Sequence, residues 1–303
     1  MIVSPLRYPG GKSRALGRIA QQLPAHFSEY REPFVGGGSV FLYLRQKFPD
    51  IPMWINDLNF DLFCFWSEAQ RDAKRLAAAV QQVKEKTTDG RILFETLRGQ
   101  VAAPLSDFDR AVRFFVLNRI SFSGTVDSGG YSEGAFRGRF TNSSITRLVR
   151  LGTLLGDVKI TNDDYTRIIE APGQDVFIFL DPPYLTATKS RLYGVNGTLH
   201  TSFDHKDFAQ QMRRCPYQWL ITYDDSPEIR RDFSFASLDA WELQYGMNNY
   251  KRDFAAKGKE LFITNYPFHS RRVKQLQLFE KKSKWQPFKT RRPKRLTVQR
   301  TAA

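Results

Sequence analysis

Apolar positions along this chain fall into two rhythms. Val176-Phe177-Ile178-Phe179-Leu180 is apolar without interruption, as expected of a central parallel strand covered on both faces, and it runs directly into Asp181. Shorter strand-like runs are predicted over Arg31 to Val35, Ile51 to Ile55, Val158 to Thr161, Trp219 to Tyr223, Leu238 to Leu243 and Glu260 to Asn265. Helical spacing appears at Val40, Phe41, Leu44 and Phe48, over Ala69 to Lys84 and Asp107 to Asn118, and from Asp204 to Arg213. Between Ser121 and Asn142 the chain is rich in Gly, Ser and Phe, and no regular helix is expected there.

These elements predict an α/β fold. Arg31 to Val35, the turn Gly36-Gly37-Gly38, the helix after it and the strand ending at Asn56-Asp57 form a βαβ unit. A mostly helical insertion separates the second strand from the third. The expected divisions are 1–60 with 156–267 for the sheet domain, 61–155 for the insertion, and 268–303 for a tail.

Composition narrows the class. The chain has 303 residues, 41% of them hydrophobic, enough for one large domain with a sizeable insertion. Its apolar runs are short and broken by charges, so no membrane span is expected. Met1 to Lys12 carries a Pro-Gly-Gly turn and no apolar signal region. Cys64 and Cys215 supply neither a disulfide framework nor a zinc cluster, so no metal is expected. A cytoplasmic protein fits all of this. The net charge is +15, and it is uneven. Arg271 to Ala303 holds 12 lysines and arginines against one acid, Glu280, a balance of +11 that leaves +4 for the rest. A basic tail suits a polyanion partner, and it equally suits a solvated terminus.

Two turns carry candidate chemistry. Glycines at 36 and 38 after a strand let backbone approach a ligand closely, and Asp57, 21 residues beyond Gly36, is placed to bind ribose hydroxyls. Alone, this pattern serves a nicotinamide-dependent dehydrogenase as well. Asp181-Pro182-Pro183-Tyr184 is more specific, because it ends a buried strand at the edge where open α/β sheets bind ligands. An aromatic amine is a poor nucleophile, its lone pair delocalised into the ring. Asp181 and the Pro182 carbonyl can accept its two hydrogen bonds and steer the nitrogen toward tetrahedral geometry. The prolines stiffen the turn, and Tyr184 offers a flat face for a base. Such a loop fits methyl transfer from a sulfonium donor, which needs no metal.

Four segments in order resemble the Dam-like family of DNA N6-adenine methyltransferases. Leu6-Arg7-Tyr8-Pro9-Gly10-Gly11-Lys12 is similar to the family's N-terminal aromatic-x-Gly-Gly-Lys motif. Arg31-Glu32-Pro33-Phe34-Val35-Gly36-Gly37-Gly38-Ser39-Val40-Phe41 is similar to its cofactor loop. Asn56-Asp57-Leu58-Asn59 matches its Asp-x-Asn element, and Asp181 to Tyr184 its catalytic motif. The resemblance implies a Rossmann-like S-adenosylmethionine-dependent methyltransferase sheet carrying an inserted target-recognition domain. It implies S-adenosylmethionine as cofactor, contacted by Tyr8, Lys12, Pro33, Phe34, Gly36, Gly38, Ser39, Asp57 and Asp181. Asp164 and Tyr165, rather than Asp163, resemble its acid-aromatic pair beside the cofactor's adenine. Tyr8 stands where tryptophan is common. A prokaryotic or phage-encoded protein is implied.

The resemblance places DNA recognition in the insertion. Leu117-Asn118-Arg119-Ile120-Ser121-Phe122-Ser123-Gly124 is similar to an Asn-Arg element that ends in aromatic-Asn-Gly, with Phe122 and Ser123 departing from the common Tyr-Asn. Asn118, Arg119, Phe122, Ser123, Arg137, Arg139 and Lys189 are the expected DNA contacts, with Arg147 near by. Arginines bind phosphates or guanine edges, and aromatics can wedge where a base leaves the duplex. Phe122, Phe136 and Phe140 serve equally well as core. Thr186 to Thr201, with Lys189, reads as a loop over the base or an ordinary surface loop, and Thr222-Tyr223-Asp224-Asp225 as a strand end near the base, with Tyr223 as a wall of its pocket. Gln275-Leu276-Gln277-Leu278-Phe279 resembles a peptide that docks on the replication sliding clamp, or it is a fragment packing on the domain. Cytosine-N4 and RNA adenine methyltransferases share the fold, usually with Ser or Asn at the position of Asp181. A non-catalytic DNA-binding relative is the alternative from another class.

Overall fold

Seven strands form a single sheet: β1 (Glu29–Glu32), β2 (Met53–Asn56), β3 (Lys159–Thr161), β4 (Val176–Leu180), β5 (Gln218–Asp224), β6 (Ser237–Leu243) and β7 (Gly258–Thr264). Their order is β3-β2-β1-β4-β5-β7-β6. The first five are parallel, and β7 runs antiparallel to both β5 and β6. This computed structural model describes residues 1–100, 104–126, 128–185, 202–243 and 258–268. All of them belong to one compact unit, Met1–Phe268. Lys189 and the Gln275–Phe279 peptide lie outside the described residues.

The apolar run predicted as a central strand is β4, and all five of its residues are buried. It pairs with β1 through Tyr30↔Phe177 and Arg31↔Ile178. The chain leaves β1 toward β2 and β3 and comes back to β4 on the other side of β1. This is the topological switch point, and a crevice opens there beyond the carboxyl ends of β1 and β4. β1 starts two residues earlier than its apolar pattern suggested. Arg31 is polar but buried, because its guanidinium donates to the carbonyls of Ile168, Ala171 and Pro172 at 2.7–2.9 Å.

Among the described residues the helices of six residues or more are α1 (Ser39–Lys47), α2 (Phe60–Lys86), α3 (Gly90–Gly99), α4 (Asp107–Ile120), α5 (Glu133–Arg139), α6 (Asn142–Gly152), α7 (Tyr165–Glu170), α8 (His205–Arg214) and α9 (Pro227–Asp232). From α2 onward each starts at a side-chain cap: Asn59, Asp89, Ser106, Ser132, Thr141, Asp164, Asp204 and Ser226. None of the described helices is long and apolar enough to cross a membrane. α5 corrects the expectation that Ser121 to Asn142 holds no helix; the Ser132 hydroxyl accepts from the Ala135 amide and supplies its start.

Helices α2 to α6 lie between β2 and β3 in the chain, yet they share their core with the sheet. Phe65, Trp66, Phe114 and Phe115 of α2 and α4 belong to one continuous buried cluster with Phe41 of α1, Tyr30 of β1 and Phe177 of β4. Burial of each such ring contributes roughly 2–3 kcal/mol. The first turn of α2 spans the 60/61 position at which the chain was divided by sequence.

Candidate active site

The glycine turn is built around two rings. Gly36 (φ 47°) and Gly38 (φ 66°) adopt the left-handed conformation that favours glycine. A Cβ on Gly36 would stand 2.8 Å from the Tyr8 ring, and one on Gly38 would stand 2.6 Å from the Trp66 ring. These glycines thus have a reason the sequence did not show: they make room for the rings of Tyr8 and Trp66 while their backbone lines the cavity. The Trp66 indole N–H donates to the Gly36 carbonyl at 3.2 Å. Asp57, just past β2, accepts from the Gly36 amide at 2.9 Å and the Asn59 amide at 3.0 Å, tying the turn to the start of α2. Burial pushes the Asp57 carboxyl up to about 6 against the opposing pull of those two hydrogen bonds.

Asp181 follows β4 and is held from two sides. Its Oδ2 accepts from the Lys12 ammonium at 2.7 Å, and its Oδ1 accepts from the Thr222 hydroxyl of β5 at 2.8 Å. Lys12 is buried, 3% exposed, and also donates to the Gly10 carbonyl at 2.9 Å. Tyr184 lies three residues on. Its hydroxyl donates to Glu260 Oε2 of β7 at 2.8 Å, its ring stacks on Tyr223 at 5.8 Å, and the Lys12 ammonium lies 4.9 Å from its centroid. Tyr223 hydrogen-bonds His205, and Asp224 accepts from the Leu185 amide at 3.0 Å. Burial pushes the Glu260 carboxyl up to about 7; Lys12 and Tyr184 pull it down, Asp181 and Asp224 push it further up.

Sequence reasoning had set Thr222 beside the target base; the structure sets its hydroxyl on Asp181. Glu260 was missed as a site residue. Its one signal was an acid at the head of the apolar run Glu260-Leu261-Phe262-Ile263.

A cavity of about 1030 Å³ opens at the switch point. The candidate cofactor residues Tyr8, Lys12, Pro33, Phe34, Gly36, Gly38, Ser39, Asp57, Asp164 and Tyr165 line it together with Asp181, Pro182, Pro183 and Tyr184. The Phe34 and Tyr165 rings lie 5.5 Å apart, and Phe203, not anticipated from sequence, packs against both. Asp163 lines the cavity as well as Asp164; the first pairs with Arg167, and the second caps α7. Ten carboxyl side chains and two lysines line the cavity among the described residues, in a chain whose net charge is +15. Such a wall favours a cationic ligand. No group of described residues is arranged to hold a metal ion.

The insertion residues divide. Asn118 and Arg119 were expected at DNA and are buried, 0% and 3% exposed. Asn118 hydrogen-bonds both backbone groups of Arg7, and Arg119 donates to the carbonyls of Pro5 and Arg139, so both hold the N-terminal segment against α4. Phe140 is core at 3% exposure, and Phe136 packs half-buried against it. Phe122 stands out at 55% exposure beside Ser123, whose φ is 56°. Arg137 is exposed and paired with Glu133 at 2.5 Å. Arg139 is exposed and Arg147 half-buried. Burial, and then Arg147, Arg7 and Arg139, lower the Arg119 guanidinium to about 9, which marks a concentration of positive charge.

Known proteins resemble this chain in sequence. M.MjaIII, a type II methyltransferase of Methanocaldococcus jannaschii, is 29% identical over 230 residues, covering 69% of this chain and 78% of that protein. The type II methyltransferase M1.LlaDCHI of Lactococcus lactis subsp. cremoris is 23% identical over 286 residues, covering 86% and 94%. A DNA N-6-adenine-methyltransferase of Escherichia phage P1 is 28% identical over 241 residues, 75% of this chain and 30% of that protein. Residues 8–247, most of the chain, match the D12 class N6 adenine-specific DNA methyltransferase family, and the chain belongs to it.

Proposed function

We propose that this N6-adenine DNA methyltransferase takes its methyl group from S-adenosylmethionine and acts on an adenine turned out of the duplex into the cavity beside Asp181. The observation that carries this is Asp181 itself, ion-paired with Lys12 and hydrogen-bonded by the Thr222 hydroxyl on the wall of an acid-rich cavity. The cofactor supplies a methyl group on a positively charged sulfur. The cavity's excess of carboxylates suits that cation better than the product left when the charge is gone. Lys12 is placed to meet the cofactor's carboxylate, and Phe34 and Tyr165 to hold its adenine.

Asp181 does the work on the acceptor. Each carboxylate oxygen has more than one acceptor site, so Asp181 can keep Lys12 and Thr222 and still accept from an N6 hydrogen. Its fixed position orients the amine and leaves a proton acceptor beside it as the new N–C bond forms. Tyr184, braced by Tyr223 and Glu260, walls the base pocket. The amine lies inside duplex DNA, so the base must leave the stack. Phe122 supports that role by its exposure, with Arg7, Arg139 and Arg147 as phosphate contacts near by, and the insertion is the DNA-recognition region.

The test is incubation with methyl-labelled S-adenosylmethionine and duplex DNA of mixed sequence, followed by nucleoside analysis. Label is expected in N6-methyladenine and lost in Asp181→Ala. Label confined to cytosine or RNA, or an active Asp181→Ala protein, overturns the proposal.

A further inference from the structure

We propose that Glu260 is a positioning residue for methyl transfer: from β7 it fixes the Tyr184 ring at the wall of the base pocket, and it does so as a carboxylate. The inference rests on the reading of Tyr184 as a wall of that pocket.

Glu260 is 1% exposed at the head of an otherwise apolar strand run. A buried carboxylate weakens a strand unless its hydrogen bonds are complete, and here they are not. Oε2 accepts from the Tyr184 hydroxyl at 2.8 Å, while Oε1 has no hydrogen-bond partner among the described residues. The residue opposite on β6, Trp241, has a buried indole N–H in the same condition. An apolar residue would serve the sheet better at position 260. The only side-chain hydrogen bond Glu260 makes among the described residues runs to the active-site loop.

The groups facing it come from every neighbouring element. Asp224 lies opposite on β5, Trp241 opposite on β6, Asp181 and Tyr184 stand in the loop after β4, and Lys12 approaches from the N-terminal turn. Lys12 is a buried cation that faces Glu260 together with the carboxyls of Asp181 and Asp224. Burial and the two other acids push Glu260 up to about 7, so near neutrality it exchanges between acid and carboxylate. As the carboxylate it is a strong acceptor for the Tyr184 hydroxyl. A positive charge entering the cavity favours that form. The ring then has its hydroxyl anchored by Glu260 and a face packed on Tyr223.

The test compares full-length wild type with Glu260→Gln, Tyr184→Phe and the double variant. kcat and the donor KM are measured from pH 6 to 9 with saturating DNA and varied donor, alongside thermal unfolding. Glu260→Gln keeps the shape of the side chain and is expected to fold, to lower kcat at pH 8 by about tenfold, and to leave KM for the donor nearly unchanged. Wild-type kcat falls on the acid side near pH 7, and the variant loses that limb. Tyr184→Phe has a similar effect, and the double variant is no worse than either single one, because both remove the same contact. A Glu260→Gln protein with wild-type kcat and pH profile, or losses that multiply in the double variant, overturns the inference. So does a Tyr184→Phe protein with wild-type kcat, a result that does not depend on Glu260→Gln folding. Asp181→Ala separates the two levels: if it stays active, the pocket reading has failed; if it is inactive while Glu260→Gln is normal, only the role of Glu260 has failed.

Discussion

The Arg7 amide donates to Asn118 Oδ1 at 2.9 Å, and Asn118 Nδ2 donates back to the Arg7 carbonyl at 2.7 Å. One buried side chain on α4 thus holds both polar groups of the residue that precedes Tyr8. Asn118 Nδ2 also donates to the Gly124 carbonyl at 3.0 Å, and Gly124 approaches so closely that a Cβ there would stand 2.2 Å from the Arg7 carbonyl oxygen. The insertion and the N-terminal segment that carries Tyr8 and Lys12 are joined at this point. Asn118→Ala leaves three backbone groups without their partner and is expected to cost ~2–4 kcal/mol of stability. Donor binding is expected to weaken too, because Tyr8 and Lys12 lie on the released segment. Urea unfolding and donor titration check both; a loss below about 0.5 kcal/mol, within the range of ordinary surface substitutions, contradicts the role.

Asn118 also shows where sequence stops being legible. Its polarity and its place in an Asn-Arg element suggested a DNA contact, because its real partner is Arg7, more than a hundred residues away. Arg119 failed in the same way, its partners being carbonyls of Pro5 and Arg139. Local pattern served where structure is local. The β4 run, the loop from Asp181 to Tyr184 and the caps at Asp204 and Asn59 depend on neighbours in sequence. Glu260 was invisible because its importance comes from Tyr184 in another element. The glycines were legible as glycines, but the rings of Tyr8 and Trp66 that require them were not.

Gly38 tests that last point. It combines a φ of 66° with a Trp66 ring 2.6 Å from where a Cβ would be. Gly38→Ala is expected to destabilise by ~2–4 kcal/mol through strain and overlap together. Trp66→Phe removes the overlapping ring atoms, so the double variant should lose less than the two single losses combined. Thermal unfolding of the four proteins decides it; strict additivity means that Trp66 is not the cause.

If Asp57 binds the donor's ribose, as the family resemblance implies, donor binding acquires a pH dependence of defined sign. The folded value of Asp57 is raised, to about 6 from the ordinary ~4 of an aspartate. Folding of the free protein is therefore favoured below about pH 4 by this group, and that contribution is lost as pH rises through about 6. Donor binding goes the other way, since the carboxylate is the form that accepts ribose hydroxyls and complements a sulfonium. At pH 5 roughly a tenth of Asp57 is ionised, at pH 7 roughly nine-tenths, so Kd is expected to tighten about tenfold between them. Calorimetric titration at both values measures this. Asp57→Asn should bind more weakly and with a flat profile; an Asp57→Asn protein that keeps the wild-type slope assigns the effect elsewhere.

The crowding of Arg7, Arg139 and Arg147 around buried Arg119 separates stability from DNA binding. These cations repel one another in the free protein, and a phosphate backbone relieves the repulsion. Arg139 is exposed, and among the described residues its side chain makes no hydrogen bond or ion pair, while its carbonyl accepts from Arg119. Arg139→Ala should therefore leave stability within about 0.5 kcal/mol of wild type, or raise it slightly, while weakening DNA binding. If Arg139 and Arg147 each neutralise one phosphate, the Arg139→Ala/Arg147→Ala protein shows a salt slope of log K shallower by about 1.8. Arg137, whose charge is already met by Glu133, should change the slope less when replaced by Ala. Fluorescence anisotropy with a duplex between 50 and 200 mM salt, alongside thermal unfolding, measures both quantities. An unchanged slope in the double variant moves the phosphate contacts to another surface, and a sharp loss of stability in Arg139→Ala shows that the arginine belongs to the fold.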